Sequence, residues 1–527
     1  MDIIEKEKKK RTILYGLLVT VLVLIGVTYA YYRITKTQTN SNVIGTRTCL
    51  DTTLTEETSE IVLSDAFPIS DEDGLKQSPF TFTLTNNCDS YVKVTIALVS
   101  EYRTSTNTAY LKDDYVKSNL STKGTSDGSS VILSTLSLGE VDTNTQGYVL
   151  KTTGLKNKEA KSFDLRLWLD SETTNEQGLN KTWKGKIVVS VVAAEYVPTL
   201  SEAILAKNEV KTPITTPGAA ISTESEALLA SAEDDYGTSY YFRGAVTNNY
   251  VEFANKCWRI VRVGGDGSVK LILHNDNTAG VANPCDSANN SANAAFARYS
   301  GETYKSTFND DYEDNAYVGF KYGTPGSNTY EATHANTNNS TILTNLEAWY
   351  DKNNLKDYEK VIADTVWCND KTNVTDTSYN PWSSGGTPTG LGHGTNKTYY
   401  GATQRLVSTS GSAGGTGPSL KCNGELSKIT SKVGLITADE LAFAGYAFNI
   451  SNTTTYLQEN ATDTMWLSLS PYYFRVDSAY VLYVYGSDGI FGISVGNDCG
   501  LRPSISLKST TNVTGNGTSD SPFIISM

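Results

Sequence analysis

Histidines, cysteines and two runs of acidic residues are the groups in this 527-residue chain that most often carry catalytic or metal chemistry. The histidines, His274, His334 and His393, lie in separate segments without partners at ligand spacing. This favours surface or loop positions over a metal site or a catalytic triad. No glycine loop of the Walker or Rossmann type occurs. The sequence therefore predicts no enzyme activity and no cofactor.

The acidic runs offer carboxylate oxygens of the kind that bind calcium. They span residues 71–73 and 310–314. Neither run has the spacing of an EF-hand loop, and a solvated acidic turn is the simpler interpretation. No metal site is predicted, and the sequence leaves calcium dependence open.

The seven cysteines show no CxxC spacing, which makes zinc and thioredoxin-type redox sites poor fits. Sequence order suggests three disulfides, with free buried thiols as the alternative for each pair. The candidate pairs are Cys49 with Cys88, Cys257 with Cys285, and Cys368 with Cys422. Cys499 is left without a partner.

A run rich in tyrosine, valine and glycine lies near the C-terminus. AYVLYVY, residues 479–485, is followed by GSDG and IFGISV, a hairpin pattern in which alternate side chains point to opposite faces. Both faces are apolar or aromatic, so the strand is either buried on both sides or displays its tyrosines. Tyrosine suits display because it offers a large rigid contact with a polar tip and has little rotamer entropy to lose.

We predict that this region carries the ligand-binding residues and that a buried frame of Trp466, Arg502 and Pro503 supports them. Positions that tolerate change must lie where a change of volume leaves the core intact, so the binding residues are expected on one exposed surface. The predicted ligand-binding residues are Tyr472, Tyr473, Arg475, Tyr480, Tyr483, Tyr485, Phe491, Ile493 and Asn497.

The N-terminus has the pattern of an export segment. Residues 1–11 form a basic tail, and residues 12–32 are uncharged, mostly apolar and long enough to cross a bilayer. The excess of Lys and Arg before this segment predicts a cytoplasmic N-terminus and an extracellular remainder, with the segment kept as a single-pass signal-anchor or cleaved. The net charge of −13 and the lack of a further dense basic run argue against a nucleic-acid partner.

Two folded regions are expected after the membrane segment. Residues 42–197 are predicted to form an all-β sandwich because apolar residues alternate along the strands, as at Val92 and Val94. Residues 198–235 mix Pro, Gly, Ser, Thr and acids and are predicted to be a linker. Residues 236–527 combine hairpin patterns with helices such as TILTNLEAWYDKNN and are predicted to be α+β.

The C-terminal region resembles a family of bacterial surface proteins with a C-type-lectin-like fold. The resemblance rests on FANKCWRIVRVGGDGSVKLIL, GLITADELAFAG and the ending GLRPSISLKS. The fold is shared by relatives of formylglycine-generating enzymes and by the variable proteins of diversity-generating retroelements. In the retroelement members, changes at adenines turn Asn codons into many residue types but never Lys, Glu, Gln, Met or Trp. Residues 468–507 contain none of these five types, although the tail at 509–526 also lacks them.

The N-terminal region loosely resembles the TasA/camelysin class of exported matrix and fibre proteins, through its TNN turn and its LWLD and GKI segments. Together these resemblances imply a membrane-tethered stalk carrying a variable lectin-like domain that binds an extracellular protein or glycan in adhesion or recognition. A structural fibre or biofilm-matrix subunit is the main alternative. A formylglycine-generating enzyme is the third, and it would need Cys422 and Cys499 as its active pair.

Overall fold

The computed structural model describes residues 34–37, 49–58, 61, 66–125, 127–140, 145–219, 221, 226–422, 424–451 and 454–526. Over these residues the chain is mainly β, and it divides between Tyr196 and Val197 into two compact units. The predicted basic tail and membrane segment lie outside the described residues. Among the helices that are described, none has the length and apolar character needed to cross a bilayer.

The first unit contains two antiparallel sheets in its described part. The first sheet has the strand order β1-β10-β4-β8-β7 and the second has the order β2-β3-β9-β5-β6. The strands are β1 (Ile34–Thr37), β2 (Thr52–Glu56), β3 (Phe80–Asn86), β4 (Val92–Ser100), β5 (Val116–Thr122), β6 (Val131–Ile132), β7 (Leu138–Glu140), β8 (Gln146–Leu155), β9 (Ala160–Leu169) and β10 (Gly185–Ala193). Two one-turn helices are α1 (Asp71–Gly74) and α2 (Asn175–Gly178).

Alternating apolar residues from the two sheets of the first unit meet in one core. On β4, Val92, Val94 and Ile96 are fully buried, and on β9 Phe163 and Leu165 are buried in the same cluster. Side chains two residues apart point to the same face of a strand, so this pattern places one face of each sheet against the other. The predicted β-sandwich agrees with this arrangement.

The second unit contains an eight-stranded and a six-stranded sheet in its described residues, together with two short two-stranded pairs. Its helices are α3 (Leu200–Lys207), α4 (Tyr330–His334), α5 (Thr341–Lys352), α6 (Gly401–Leu406) and α7 (Ala438–Ala444). Its strands are β11 (Leu228–Asp234), β12 (Gly237–Arg243), β13 (Tyr250–Phe253), β14 (Lys256–Val263), β15 (Val269–Asn275), β16 (Lys305–Ser306), β17 (Lys321–Tyr322), β18 (Asn338–Asn339), β19 (Thr365–Cys368), β20 (Thr398–Tyr399), β21 (Lys428–Ser431), β22 (Trp466–Phe474), β23 (Ala479–Val484), β24 (Ile490–Ser494), β25 (Cys499–Gly500), β26 (Ser504–Leu507), β27 (Val513–Thr514) and β28 (Phe523–Ile525).

The helices of the second unit form where the sequence supplies caps and an apolar face. Helix α5 buries Ile342, Leu346 and Trp349, as its spacing predicts. Helix α7 begins at a capping box in which the Thr437 hydroxyl accepts from the Glu440 amide and the Glu440 carboxylate accepts from the Thr437 amide. The segment CWRIVRVGGDGSVKLILH, residues 257–274, forms a hairpin in which β14 pairs antiparallel with β15.

Residues 198–219 and 226–235 of the predicted linker are structured as part of the second unit. Helix α3 places Leu200, Ala203 and Ile204 in the main core of that unit, and β11 pairs with β12 along its whole length. The spacing of these three residues puts them on one face of the helix. Burial of that face holds this short helix against the core of the second unit.

Three disulfides are formed, and they are the pairs suggested by sequence order. They join Cys49 to Cys88, Cys257 to Cys285, and Cys368 to Cys422. Cys499 is a free, buried thiol.

Candidate functional site

The strands β22, β23 and β24 run antiparallel to one another and carry most of the predicted binding residues. Tyr473 of β22 is paired with Tyr480 of β23, and Tyr483 of β23 is paired with Phe491 of β24. Directly opposite residues in a sheet bring their side chains into contact. The pairing therefore unites residues that lie up to 18 positions apart in the chain.

Eight aromatic rings that contact one another form what we call the aromatic array, and Tyr379 contacts its member Tyr399 with ring centroids 5.5 Å apart. Tyr473 stacks on Tyr480 with ring centroids 4.6 Å apart and planes 8° apart. At the other end, Tyr483 lies 5.9 Å from Phe491. The members of the array are Trp382, Tyr399, Phe448, Tyr472, Tyr473, Tyr480, Tyr483 and Phe491.

Tyr472 lies in the core, which corrects the prediction that it belongs to the exposed surface. Only 5% of Tyr472 is exposed, and its ring contacts Trp382 and Phe448. The ring also covers Gly492, where an added Cβ would lie 1.9 Å from a ring carbon. The absence of a side chain at Gly492 is what makes room for the Tyr472 ring.

The other predicted binding residues reach the surface to different degrees. Tyr485 is 44% exposed and Asn497 is exposed, whereas the remaining side chains are half-buried. Arg475 forms an ion pair with Asp477 at 3.3 Å. The half-buried residues are Tyr473, Arg475, Tyr480, Tyr483, Phe491 and Ile493.

Strand β23 is covered on both faces, and only its tyrosines emerge. Val481 and Leu482, which point to opposite faces, are both fully buried, whereas Tyr480 and Tyr483 are half-buried. The aliphatic positions of β23 are therefore core, and its tyrosine positions are partly accessible.

Two phenols of the array, those of Tyr473 and Tyr399, have raised pKa values. Burial raises the pKa of Tyr473 to about 12, and the neighbouring Tyr480 adds to this effect. Burial also raises the pKa of Tyr399 to about 12. A ligand would therefore meet flat apolar rings with neutral hydroxyl groups at their edges.

Three members of the array come from outside the predicted stretch, and sequence reasoning did not find them. They are Trp382 in the Gly- and Ser-rich segment, Tyr399 on β20, and Phe448 after α7. Their contacts with Tyr472 and Tyr473 arise from tertiary packing. Residues 370–420 are rich in Gly, Ser and Thr, and the aromatic residues within them were the available signal for Trp382 and Tyr399.

A buried lysine organises the loop that carries Trp382. The Lys397 ammonium donates to the Asn380 side chain at 2.9 Å and to the carbonyl oxygens of Trp382, Ser384 and Gly386, each at 2.8 Å. Lys397 is 2% exposed, so these four oxygens replace its hydration shell. The ammonium thus fixes residues 380–386 around itself.

The turn between β22 and β23 contains a strained residue at the surface. Val476 has φ of +143° and is 43% exposed. A β-branched residue in this part of backbone space is a genuine outlier, and such strain concentrates at sites of function.

The predicted frame residues are buried, and Trp466 is itself the first residue of β22. Trp466 and Arg502 are each 1% exposed, and the Arg502 guanidinium lies 4.7 Å from the centre of the Trp466 ring. Pro503 is also buried.

Of the three histidines, His393 lies in a loop as predicted, whereas His274 and His334 do not occupy the predicted surface or loop positions. His274 and His334 are fully buried, and burial lowers the pKa of both, to about 3 for His334. Their place in the core follows from packing against tyrosine rings, His274 on Tyr250 and His334 on Tyr330 and Tyr400.

In neither acidic run do the carboxylate groups converge on a common point, as the ligands of a metal ion would. Among the described residues, no group of three or more His, Cys, Asp or Glu side chains has the arrangement of a metal site. Asp314 is buried and caps a short helical turn by accepting from the Ala316 amide at 2.9 Å.

Of the two cysteines that the enzyme alternative requires, one is part of a disulfide and the other is a buried thiol. Cys422 is bonded to Cys368, and Cys499 is fully buried, which raises the pKa of its thiol. A high thiol pKa lowers the fraction of reactive thiolate.

In comparisons with known proteins, no protein-family model, no curated protein and no solved structure matches this chain.

Proposed function

We propose that the chain is an exported, membrane-tethered surface protein whose second unit is a C-type-lectin-like domain that displays a variable binding surface. Its ligand is an extracellular protein or glycan, and its role is adhesion or recognition. The first unit serves as the stalk. The observation that carries this proposal is the aromatic array, whose rings are held together by buried members and reach the surface at Tyr473, Tyr480 and Tyr483.

The division between buried and accessible rings supports a binding role. Rings that only filled a core would be covered by neighbouring side chains, whereas a binding surface needs rigid aromatic area that a partner can reach. Tyr472 and Trp382 both contact the Tyr473 ring and hold it in place, so little rotamer entropy is lost when a partner contacts that ring.

The strain at Val476 supports the same proposal. A turn selected for stability alone would carry Gly at a φ of +143°. An exposed valine there brings an apolar tip to the surface between β22 and β23 at the expense of backbone strain. The lack of Lys, Glu, Gln, Met and Trp in residues 468–507 fits adenine-directed diversification of this region.

The proposed location rests on the basic tail, the apolar segment 12–32 and the disulfides. Disulfides form and persist outside the cytosol, and the three pairs found here suit an extracellular chain. Protease added to intact cells should therefore digest the second unit while the protein stays in the membrane fraction. Recovery of an undigested, cytosolic chain would refute the location.

Binding can be tested with the full chain on arrays of extracellular glycans and of extracellular proteins. The test variant replaces Tyr473, Tyr480, Tyr483 and Tyr485 with Ser. We expect the parent to bind at least one probe and the variant to lose that binding. The matched control replaces Tyr102 and Tyr110, a stacked tyrosine pair of the first unit, with Ser and should bind as the parent does.

Two results would count against the proposal. One is a parent protein that binds no probe on either array. The other is binding that the tyrosine variant retains in full. Assembly of the purified parent into fibres together with either result would favour the structural alternative.

A further inference from the structure

Strand β24 lies at the end of the six-stranded sheet and pairs along its length with β23 alone. Its sequence, IFGIS, contains no charged residue and no proline. Proteins usually protect the open edge of a sheet with such residues, because unpaired N–H and C=O groups invite pairing with another strand. The outer edge of β24 lacks this protection.

The main-chain groups of β24 alternate between its two sides. Just after the strand, the Val495 amide donates to the Ala479 carbonyl of β23 at 3.0 Å. On the outer side, the Ile490 amide donates to the Ala447 carbonyl at 3.0 Å, and the Ile490 carbonyl accepts from the Asn449 amide at 2.9 Å. Successive residues of an antiparallel strand direct their N–H and C=O groups to opposite sides. The odd-numbered residues of β24 therefore face β23, and the even-numbered residues face outwards.

Gly492 and Ser494 carry the unused groups of this outer edge. Among the hydrogen bonds of the described residues, none involves the Gly492 N–H, the Gly492 C=O or the Ser494 N–H, whereas the Ser494 carbonyl accepts from the Asn497 amide at 3.1 Å. Neither Gly492 nor Ser494 is buried. Alternate residues of a strand lie about 7 Å apart. The free groups thus have the spacing with which a second strand pairs.

Apolar side chains flank the free edge. Phe491 and Ile493 share one face of β24 and are half-buried, and the Phe491 ring lies 5.9 Å from Tyr483. The main chain of Ile450 lies against Gly489, just before the strand, and its side chain is 42% exposed. A strand docked on this edge would therefore have apolar contacts beside the aromatic array.

The same edge of a second copy of the chain is obstructed. Residues 447–449 occupy the outer side of β24 at Ile490, only two positions before Gly492. In a two-fold pairing of the free edges, residues 447–449 of each copy would overlap the pairing residues of the other. An extended segment that carries no flanking chain of this kind avoids the overlap.

We propose that an extended segment of a partner protein binds along the outer edge of β24, where it forms main-chain hydrogen bonds with Gly492 and Ser494. In this mode of recognition the main-chain bonds give affinity, and the neighbouring side chains give specificity. A glycan lacks the alternating N–H and C=O groups of an extended chain. The inference rests on the proposed function and narrows its ligand to a protein.

The test uses peptides selected on the full chain from a phage-displayed library of random linear sequences. Ser494→Pro deletes the outward N–H and leaves the hydrogen bonds to β23 in place. The matched control is Ser494→Ala, which loses the same hydroxyl contact with Ser478 and keeps the N–H. We expect Ser494→Pro to weaken binding of the selected peptide by at least about tenfold and Ser494→Ala to bind as the parent does, since proline removes a donor and blocks the edge.

Two further measurements use the parent chain. N-methylation of the peptide at successive residues should weaken binding at every second position, because strand pairing uses alternate residues. The Gly492 and Ser494 amides should exchange hydrogen rapidly in the free chain and be protected when the peptide is bound. Failure to select any peptide, equal binding by Ser494→Pro, or unchanged exchange at both amides would overturn the inference.

The variants separate this inference from the proposed function. A probe that the tyrosine variant no longer binds but Ser494→Pro still binds would leave the proposed function standing and refute the role of the β24 edge. A dimer of the parent that Ser494→Pro dissociates would assign the edge to a second copy and would also refute it.

Discussion

Replacing Glu440 with Gln removes a negative charge that two buried cations share. Glu440 Oε1 accepts from Arg262 Nε at 2.9 Å and from Lys270 Nζ at 2.6 Å. The three side chains are 3%, 15% and 8% exposed, respectively. Glutamine keeps the shape of the side chain but leaves Lys270 without its ion-pair partner in the interior.

Two arguments give the size of the effect. Removing one partner of a buried ion pair costs about 3–5 kcal/mol. Burial raises the pKa of Glu440, but the charges of Lys270 and Arg262 outweigh burial and hold that pKa at about 2, compared with an ordinary value of 4.5. This difference corresponds to about 3 kcal/mol of stability. Because the folded pKa is lowered, the stabilisation is complete above pH 4.5 and is lost as the pH falls towards 2.

Scanning calorimetry of the full chain measures this effect with the transition of the first unit as an internal reference. We expect Glu440→Gln to destabilise the second unit by about 3–5 kcal/mol at pH 7 and to flatten its loss of stability between pH 5 and pH 2. The matched control is Glu252→Gln. The Glu252 carboxylate is half-buried, and burial raises its pKa, so this change should cost less than about 1 kcal/mol. A loss below about 1 kcal/mol for Glu440→Gln, or an unchanged acid profile, would refute the reasoning.

Three further changes test the candidate site by thermal melting. Val476→Gly should stabilise the second unit by about 0.5–2 kcal/mol, since relief of backbone strain exceeds the entropy cost of glycine; destabilisation would contradict the assigned φ. Gly492→Ala should destabilise the second unit by about 1–3 kcal/mol. The same change should cost less in a protein that already carries Tyr472→Leu, because the smaller side chain leaves room for the added methyl group. Additive losses in the double variant would mean that the two residues do not touch. Trp466→Ala should cost about 3–5 kcal/mol, and Tyr485→Ser less than about 0.5 kcal/mol; equal losses would place Tyr485 in the core.

Local patterns predicted much of the fold. Alternation along β4 and β9 marked the sandwich, and the spacing of Ile342, Leu346 and Trp349 marked α5. The spacing of Thr437 and Glu440, three residues apart, is the local signal for the start of α7. Each of these signals lies within one element, so neighbouring residues decide the outcome.

Signals that depend on distant partners were missed. The burial of Tyr472 requires Trp382, Phe448 and the open space at Gly492, and no local pattern connects these residues. The residues of helix α3 were predicted to belong to a linker. The apolar face of this helix is short, and it is buried only because residues distant in the sequence form the core against which it packs.

Lys397 has a consequence for the conditions under which the Trp382 loop keeps its shape. Its ammonium holds four oxygens of residues 380–386, a task that dissolved calcium performs in many extracellular loops. A cation attached to the chain cannot be removed by a chelator or diluted by a change of habitat. The positive charge that holds this loop is therefore part of the chain and does not depend on dissolved calcium, although burial lowers the pKa of the Lys397 ammonium.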